Sequence, residues 1–542
     1  MESASRAFYS LIQEFYDVWI RFHPEVVLRA GLPGYTGNLP AVSDDNVGAL
    51  GSWLESTIVG MEEIDFHALD PAAQLDMELL FGACRDEYQS ILECDWRHRD
   101  PPAFIPLGTI ALLSLTADTE GYAALELCLK GVPKLLHQAR SLLAGYPRLV
   151  PRIRIDEALL KGAATASLLR QLGSREDIPP KLQMLCEKAS RAVEDYSAYL
   201  GKRISRHARG TAACGWQRFQ EQLKLRHHLP DKLGDHLELA RQVHQETLTE
   251  LGTLSLQQTG SSDPRGWLQK LGRRSGLQAG GRLRYVQQRC DEIYRVLADS
   301  GLFKLPDQAG LELRSLPEEY PVDYTTDYRA PAPGISGSAG MLYLAPPEDG
   351  RADTPEQLTA WCIRNAWPGR HMQAAVAAAS PVAGTLMRRI NLSASQQLGW
   401  SLYAEQLMQE RVFSMLPEQK LHSLLERLRR SLMAVLDIEL HVHGMAAAGA
   451  LLQLQTLPGH SAEEATRDLL LLTRRPTRHL AGIVEWKLFE ALRQWHSDRG
   501  EGDISDFHSR LLVQGSVATP LVIRRVFGQQ AWEWVEARVY SQ

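Results

Sequence analysis

Cysteine is scarce in this chain: seven in 542 residues, each standing alone, with no C-x-x-C pair. An odd, scattered set excludes a disulfide framework and a cysteine zinc site, and points to free buried thiols in a reducing compartment. No uncharged apolar run reaches the ~18 residues that a membrane span needs. The first stretch, MESASRAFYSLIQEFYDVW, carries acidic residues through its apolar part. It has neither the basic start nor the small-residue cleavage site of a signal peptide. A cytoplasmic protein is expected, with no membrane partner. Blocks of like charge are absent and the net charge of −6 is slight for this length, so nothing marks a nucleic-acid partner. There is no G-x-S-x-G elbow. The glycine-rich GLPGYTG from Gly31 lacks the Lys-Ser/Thr of a P-loop and reads as a turn.

What is present is the composition of a globular protein: 44% hydrophobic and 23% charged residues, enough for a large core. Helical periodicity dominates. Apolar residues recur at three- and four-residue spacing from Phe8 to Ile20 and from Pro71 to Cys94, the latter with proline in the first turn. Further helices are expected near 120–146, 156–173, 179–200, 231–253 and 285–300. After these come 354–378, 394–411, 417–442, 461–472, 480–497 and 503–514. Short strands are expected at Leu311 to Leu316, Asp323 to Arg329 and Gly340 to Leu344, where proline and glycine punctuate the pattern. The organisation expected is an N-terminal helical half (1–253), a loop-rich joint (254–284) and a C-terminal half (285–542) with one small sheet.

Chemistry concentrates between Gly340 and Val526. In order come RNAWPGRHMQ (Arg364 to Gln373), LGWSLYAEQLMQE (Leu398 to Glu410), LDIELHVHG (Leu436 to Gly444) and FHSRLLVQGS (Phe507 to Ser516). This order resembles the DUF885 family, a large bacterial family of uncharacterised, zincin-like helical proteins often labelled dipeptidase- or carboxypeptidase-like. That family shows H-E-x-x-P-G-H-H-x-Q, then E-G-W-A-x-Y-x-E, a D-x-G-L-H segment, P-G-Q-A-x-x-Y and F-H-x-x-L-L-x-x-G. The resemblance is close over the last 200 residues or so. In the N-terminal half it rests on helical texture and the early FHPEVVLRAGL. It implies a mainly α fold: a large helical zincin-like metallopeptidase scaffold around a cleft, with one small β-sheet in the second half.

The departures from the family pattern carry the functional reading. Arg364 and Asn365 stand where the family has His-Glu, Arg370 where it has the next histidine, and Leu398 where it has the glutamate of Glu-Gly-Trp. Pro476-Thr477-Arg478-His479 replaces P-G-Q-A, and Gly482 stands at the expected tyrosine. Catalytic zinc needs three donor ligands, an open position for water and a base for the water's proton. Leucine cannot coordinate and arginine stays protonated. A degenerate metal motif, no metal and no cofactor are therefore expected.

Arg364 and Arg370 suit an anion, which guanidinium groups grip through paired hydrogen bonds. With Gln373 and Glu405 they form the expected ligand-binding set for a small anionic molecule. Two readings compete: a pseudoenzyme that binds a small molecule or partner, and a repurposed metal-independent enzyme. In the second, His371, Tyr403 and His441 do acid–base work. A zinc peptidase with other ligands ranks third. Against any site stands the reading that the arginines pair internally with Glu405 or Asp437. Glu439, His441 and His443 form E-x-H-x-H, but on a helix alternate residues point apart. Arg427, Arg429 and Arg430 read as the wet face of a helix, His227 and His228 as a polar stretch with no partner at ligand spacing, and Cys362 as a core thiol.

Overall fold

The computed structural model describes residues 2–30, 32, 35–116, 121–272, 276–277, 279–306, 310–318, 320, 328–331, 338–346, 353–412, 415–500 and 502–540. They divide into two compact units. The first holds Met1–Ala212 with Leu316–Arg329, and the second holds Ala213–Ser315 with Ala330–Gln542. The stretch 254–284, expected as a joint, lies inside the second unit. Leu233–Thr259 remains helical through its first residues, and Arg265–Gly272 is a helix of its own. Gly31, Pro33 and Gly34 of the expected turn, and 323–327 of the expected second strand, lie outside the described residues. Tyr328–Arg329, which follows, is extended.

The first unit is built from helices whose starts are written in their capping residues. Ser43 accepts a hydrogen bond from the Asn46 amide ahead of Asp44–Glu62. Asp70 accepts from Ala72 and Ala73 ahead of Pro71–Glu93. Its core is aliphatic and aromatic, with Phe8, Leu54, Phe104 and Tyr196 fully enclosed. The early FHPE motif starts the helix Pro24–Arg29, with proline in its first turn. His23 there bonds the Glu87 carboxylate, which also accepts from the Trp19 indole at 2.7 Å.

The second unit is mainly helical with a small sheet. Strands Leu311–Ser315 and Gly340–Leu344 run parallel, from Leu311 opposite Gly340 to Ser315 opposite Leu344. All five residues of Gly340–Leu344 are buried, as a continuous apolar run predicts for a strand covered on both faces. The helical body packs around Arg478–Arg499, against which Ala394–Arg411 lies very close. A methyl group on Gly399 would stand 2.6 Å from Glu485 Cβ and 2.7 Å from the Trp486 nitrogen. Only glycine allows that approach. Beside it Trp400 is fully buried, its indole donating to the Pro368 carbonyl at 3.0 Å.

One expected helix is two. The periodicity of 354–378 is interrupted, giving Pro355–Asn365 and Arg370–Ala379 with Trp367-Pro368-Gly369 between them. Pro368 has no N–H to donate. At Gly369 a Cβ would fall 2.0 Å from the Arg364 carbonyl oxygen, so the chain folds back on the end of its own helix. Apolar spacing runs unbroken across this break and gives no sign of it.

Candidate functional site

A cavity of about 510 Å³ lies in the second unit. One wall is the helix Pro355–Asn365, which contributes Gln357, Leu358, Trp361 and Arg364. It starts in a Thr354 capping box, so its first turn is fixed. A second wall is Pro417–His441, with His422, Leu425, Glu426 and Arg429. A third is Ala462–Arg474, with Glu464, Arg467 and Asp468, preceded by His460. Arg282 and Asp353 close the side next to Leu344. Leu268, Leu344, Leu425, Leu428 and Leu457 make the remaining surface apolar.

The charges of the lining balance. Arg282, Arg364, Arg429 and Arg467 face Asp353, Glu426, Glu464 and Asp468. Arg282 donates to Asp353 at 2.7 Å and to the Ala345 carbonyl at 3.0 Å. Arg364 Nη1 donates to Glu405 Oε1 at 3.0 Å, with both side chains largely enclosed. Arg429 donates through Nε to Asp468 at 2.6 Å and more loosely to Glu426 at 3.3 Å. Arg430 donates to Glu426 at 2.7 Å and to Ser401 Oγ at 2.7 Å. Arg429 and Arg430 are thus inward ion-pair partners, not a solvated helix face. The RLRR run looks like surface, but its carboxylates lie within the same helix at Glu426 and across the unit at Asp468.

These surroundings set the protonation states. Burial works against the charged form of Glu426, yet Arg430, Arg429 and Arg364 outweigh it and hold the carboxyl well below its usual range. For Glu405 the balance falls the other way: burial raises its pKa despite Arg364 and Arg430. Burial, then the Arg364 charge, lowers His422 to about 4, so the ring is neutral. His422 lines the cavity, while its Nε2 is buried without a hydrogen-bond partner.

The other expected site residues stand elsewhere. Arg370, His371, Gln373, Glu405, Tyr403 and His441 are not among the described lining residues. His371 is fully buried, with its ring edge-on to Trp367 at 4.6 Å. Gln373 donates to Gln396. The Tyr403 hydroxyl donates to His508 Nε2 at 2.8 Å, while His508 Nδ1 donates to the Leu302 carbonyl at 2.8 Å. Burial pushes the Tyr403 hydroxyl up and His508 down to about 3. His441 Nε2 donates to the Leu472 carbonyl at 3.0 Å, and its Nδ1 accepts from the Cys214 amide at 3.2 Å. Both nitrogens of that ring thus hold backbone. Asp437 accepts from the amides of Thr477, His479 and Leu480 at 3.1–3.2 Å, at the start of Arg478–Arg499. Glu439 pairs with Arg241 and His443, away from buried His441.

His227, in a stretch that reads as polar, is buried between Ser395 Oγ at 2.8 Å and Thr477 Oγ1 at 2.9 Å. It bridges the start of Ala394–Arg411 and the segment before Arg478–Arg499, where Thr477 holds a left-handed φ of 71°. The partners are 168 and 250 residues away, so no local spacing announces them. A second meeting is equally long-range. A methyl on Gly482 would stand 3.0 Å from Leu398 Cβ, so these two positions, far apart in the chain, face one another.

These groups predict a bell-shaped pH dependence of stability. Burial lowers His227 and His508 to about 3, and His236 and His422 to about 4. Their unfolded rings take protons below roughly pH 6.5, so stability is present above that pH and falls as it drops. Burial raises Asp437 to about 7 and Glu485 to about 8. Both keep their protons when folded but ionise near pH 4 when unfolded, so the stability they contribute is full below about pH 4 and is lost progressively as pH rises to 7 and 8, beyond which it no longer changes. The urea midpoint should therefore peak between about pH 6 and 7 and fall on both sides. A midpoint flat from acid to alkaline pH would contradict these assignments.

The residues at the expected metal positions do not fit a zinc ion. Arg364 and Arg370 are cations, Leu398 has no donor atom, and the Asn365 amide donates to the Trp361 carbonyl at 3.0 Å. Among the described residues no group of three or more His, Cys, Asp or Glu is placed to hold a metal.

Two solved structures share this fold. One is a candidate lipoprotein from Colwellia psychrerythraea: TM-score 0.80, 16% identity, with 98% of this chain and 99% of that chain covered. The other is a candidate lipoprotein of unknown function from Shewanella oneidensis: TM-score 0.75, 16% identity, covering 95% and 98%. Comparison with curated proteins gave no match. A family model, described as a bacterial protein of unknown function, matches residues 24–526. The chain belongs to the DUF885 family.

Proposed function

We propose that this protein is a metal-independent binding protein on a zinc-peptidase-like scaffold, and that its second unit holds a small polar molecule. The observation that carries this is the cavity. It has the volume of a small-molecule site, and it is bordered by Arg364 of the altered motif and by His422. The balance of four arginines against four carboxylates favours a molecule that carries an anionic group together with a cationic one. A bare anion would meet Asp353, Glu426, Glu464 and Asp468 as well as the guanidinium groups. The leucines and Trp361 suit an apolar side group on such a zwitterion.

The enzyme reading draws less support. His441 has both nitrogens on backbone groups, and the Tyr403 hydroxyl is held by buried His508. Seven unpaired cysteines support a reducing compartment for this chain. Calorimetric titration of the purified protein with zinc, and with a panel of small carboxylates, phosphates, zwitterions and polyols, tests the proposal. Saturable binding of a zwitterion, weakened about 10-fold or more by Trp361→Ala with the fold intact, is expected. Binding of zinc alone, or of anions alone, would contradict it.

A further inference from the structure

A second cavity, of about 590 Å³, lies beside the helix Ala279–Asp299, lined by Gln287, Cys290, Asp291, Tyr294, Trp367 and Leu311–Arg314. Cys290 is 3% exposed yet borders this space. Behind it stands Cys362 of Pro355–Asn365, fully enclosed. The Cys362 thiol donates to the Val286 carbonyl at 3.9 Å, one helical turn before Cys290 on the neighbouring helix, which brings the two cysteines close together. Both are free thiols.

We propose that Cys290 and Cys362 form a redox-modification site, in which a small hydroperoxide oxidises Cys290 from the cavity and Cys362 resolves the product as a disulfide. In the first step the Cys290 sulfur attacks the peroxide, its O–O bond breaks, and a sulfenic acid and water (for hydrogen peroxide) result. In the second the Cys362 sulfur attacks the sulfenic sulfur. The S–O bond breaks, the S–S bond forms, and hydroxide leaves with the thiol proton as water. Two thiols and one peroxide give one disulfide and two waters. Burial holds the Cys362 thiol up in pKa, which suits a resolving partner released by its neighbour's oxidation better than a first target.

The bond would tie Ala279–Asp299 to Pro355–Asn365. The first carries Arg282 and the second carries Trp361 and Arg364, so oxidation would clamp one wall of the ligand cavity. The test uses the full-length protein, reduced, exposed to hydrogen peroxide, alkylated under denaturing conditions and mapped by mass spectrometry. The expected result is a Cys290–Cys362 cross-linked peptide as the main oxidised product and a higher Tm that dithiothreitol reverses. The cross-link should vanish in Cys290→Ser. In Cys362→Ser, Cys290 should instead be trapped by dimedone. Recovery of both thiols alkylated, or earlier oxidation of the more exposed Cys94 and Cys214 into other products, would overturn the proposal. The map of the unaltered protein decides this even where a serine variant folds poorly.

Discussion

Replacing Arg364 with alanine should lower unfolding stability by about 3–5 kcal/mol, the usual cost of leaving a buried charge without its partner. Arg364 holds Glu405 at 3.0 Å, and Glu405 is almost wholly enclosed. Burial already raises the Glu405 pKa against the pull of Arg364. Without the guanidinium, the carboxyl can persist in the fold only by keeping its proton. The loss should therefore grow with pH, since the unfolded carboxyl ionises above about pH 4.3. Arg364→Ala combined with Glu405→Gln should recover most of it. Urea titrations of the three variants at pH 5 and pH 8 measure this directly. A normal melt for Arg364→Ala together with lost ligand binding would instead make Arg364 a free anion clamp.

Gly399→Ala should be as damaging, through geometry and not charge. The added methyl would meet Glu485 Cβ at 2.6 Å, the Trp486 nitrogen at 2.7 Å and the Glu485 carbonyl carbon at 2.9 Å. Two of these are backbone atoms of the facing helix and cannot rotate away. Ala394–Arg411 and Arg478–Arg499 would have to separate, loosening the burial of Trp400. A loss of about 3 kcal/mol or more is expected, at the upper end for an overpacked core. Gly482→Ala lies on the same helix pair and is the control. Its methyl meets the Leu398 side chain at 3.0 and 3.3 Å and the Ser395 carbonyl oxygen at an ordinary 3.7 Å, and a loss below about 1.5 kcal/mol is expected. Thermal melts that rank the two variants the other way would disprove this account of the helix contact.

Helices were legible because each buries one apolar stripe, and the order of motifs along the second half was enough to recognise the family. The break at Pro368 is written in the Pro368-Gly369 pair, which cannot continue a helix, but apolar periodicity alone reads straight across it. Glu405 was legible as the counter-ion of Arg364, being one motif away. The placement of Arg364 on a cavity wall and of Arg370, His371 and Tyr403 off it was not. Spacing along a helix says which residues share a face and nothing of what that face meets. Arg429 and Arg430 looked like surface for the same reason: charge is read locally, whereas Asp468 that neutralises Arg429 arrives from another helix. His227, held by groups in two other segments, left no trace in its own.

The most direct test of metal independence is elemental analysis of protein purified without added metal, followed by calorimetric titration of the same sample with zinc. The proposal predicts no stoichiometric metal and no saturable zinc binding, because arginine and leucine stand where the family resemblance would place a ligand set. One tightly held zinc per chain would contradict it, and would assign the protein to metal chemistry built from donors outside the altered motif.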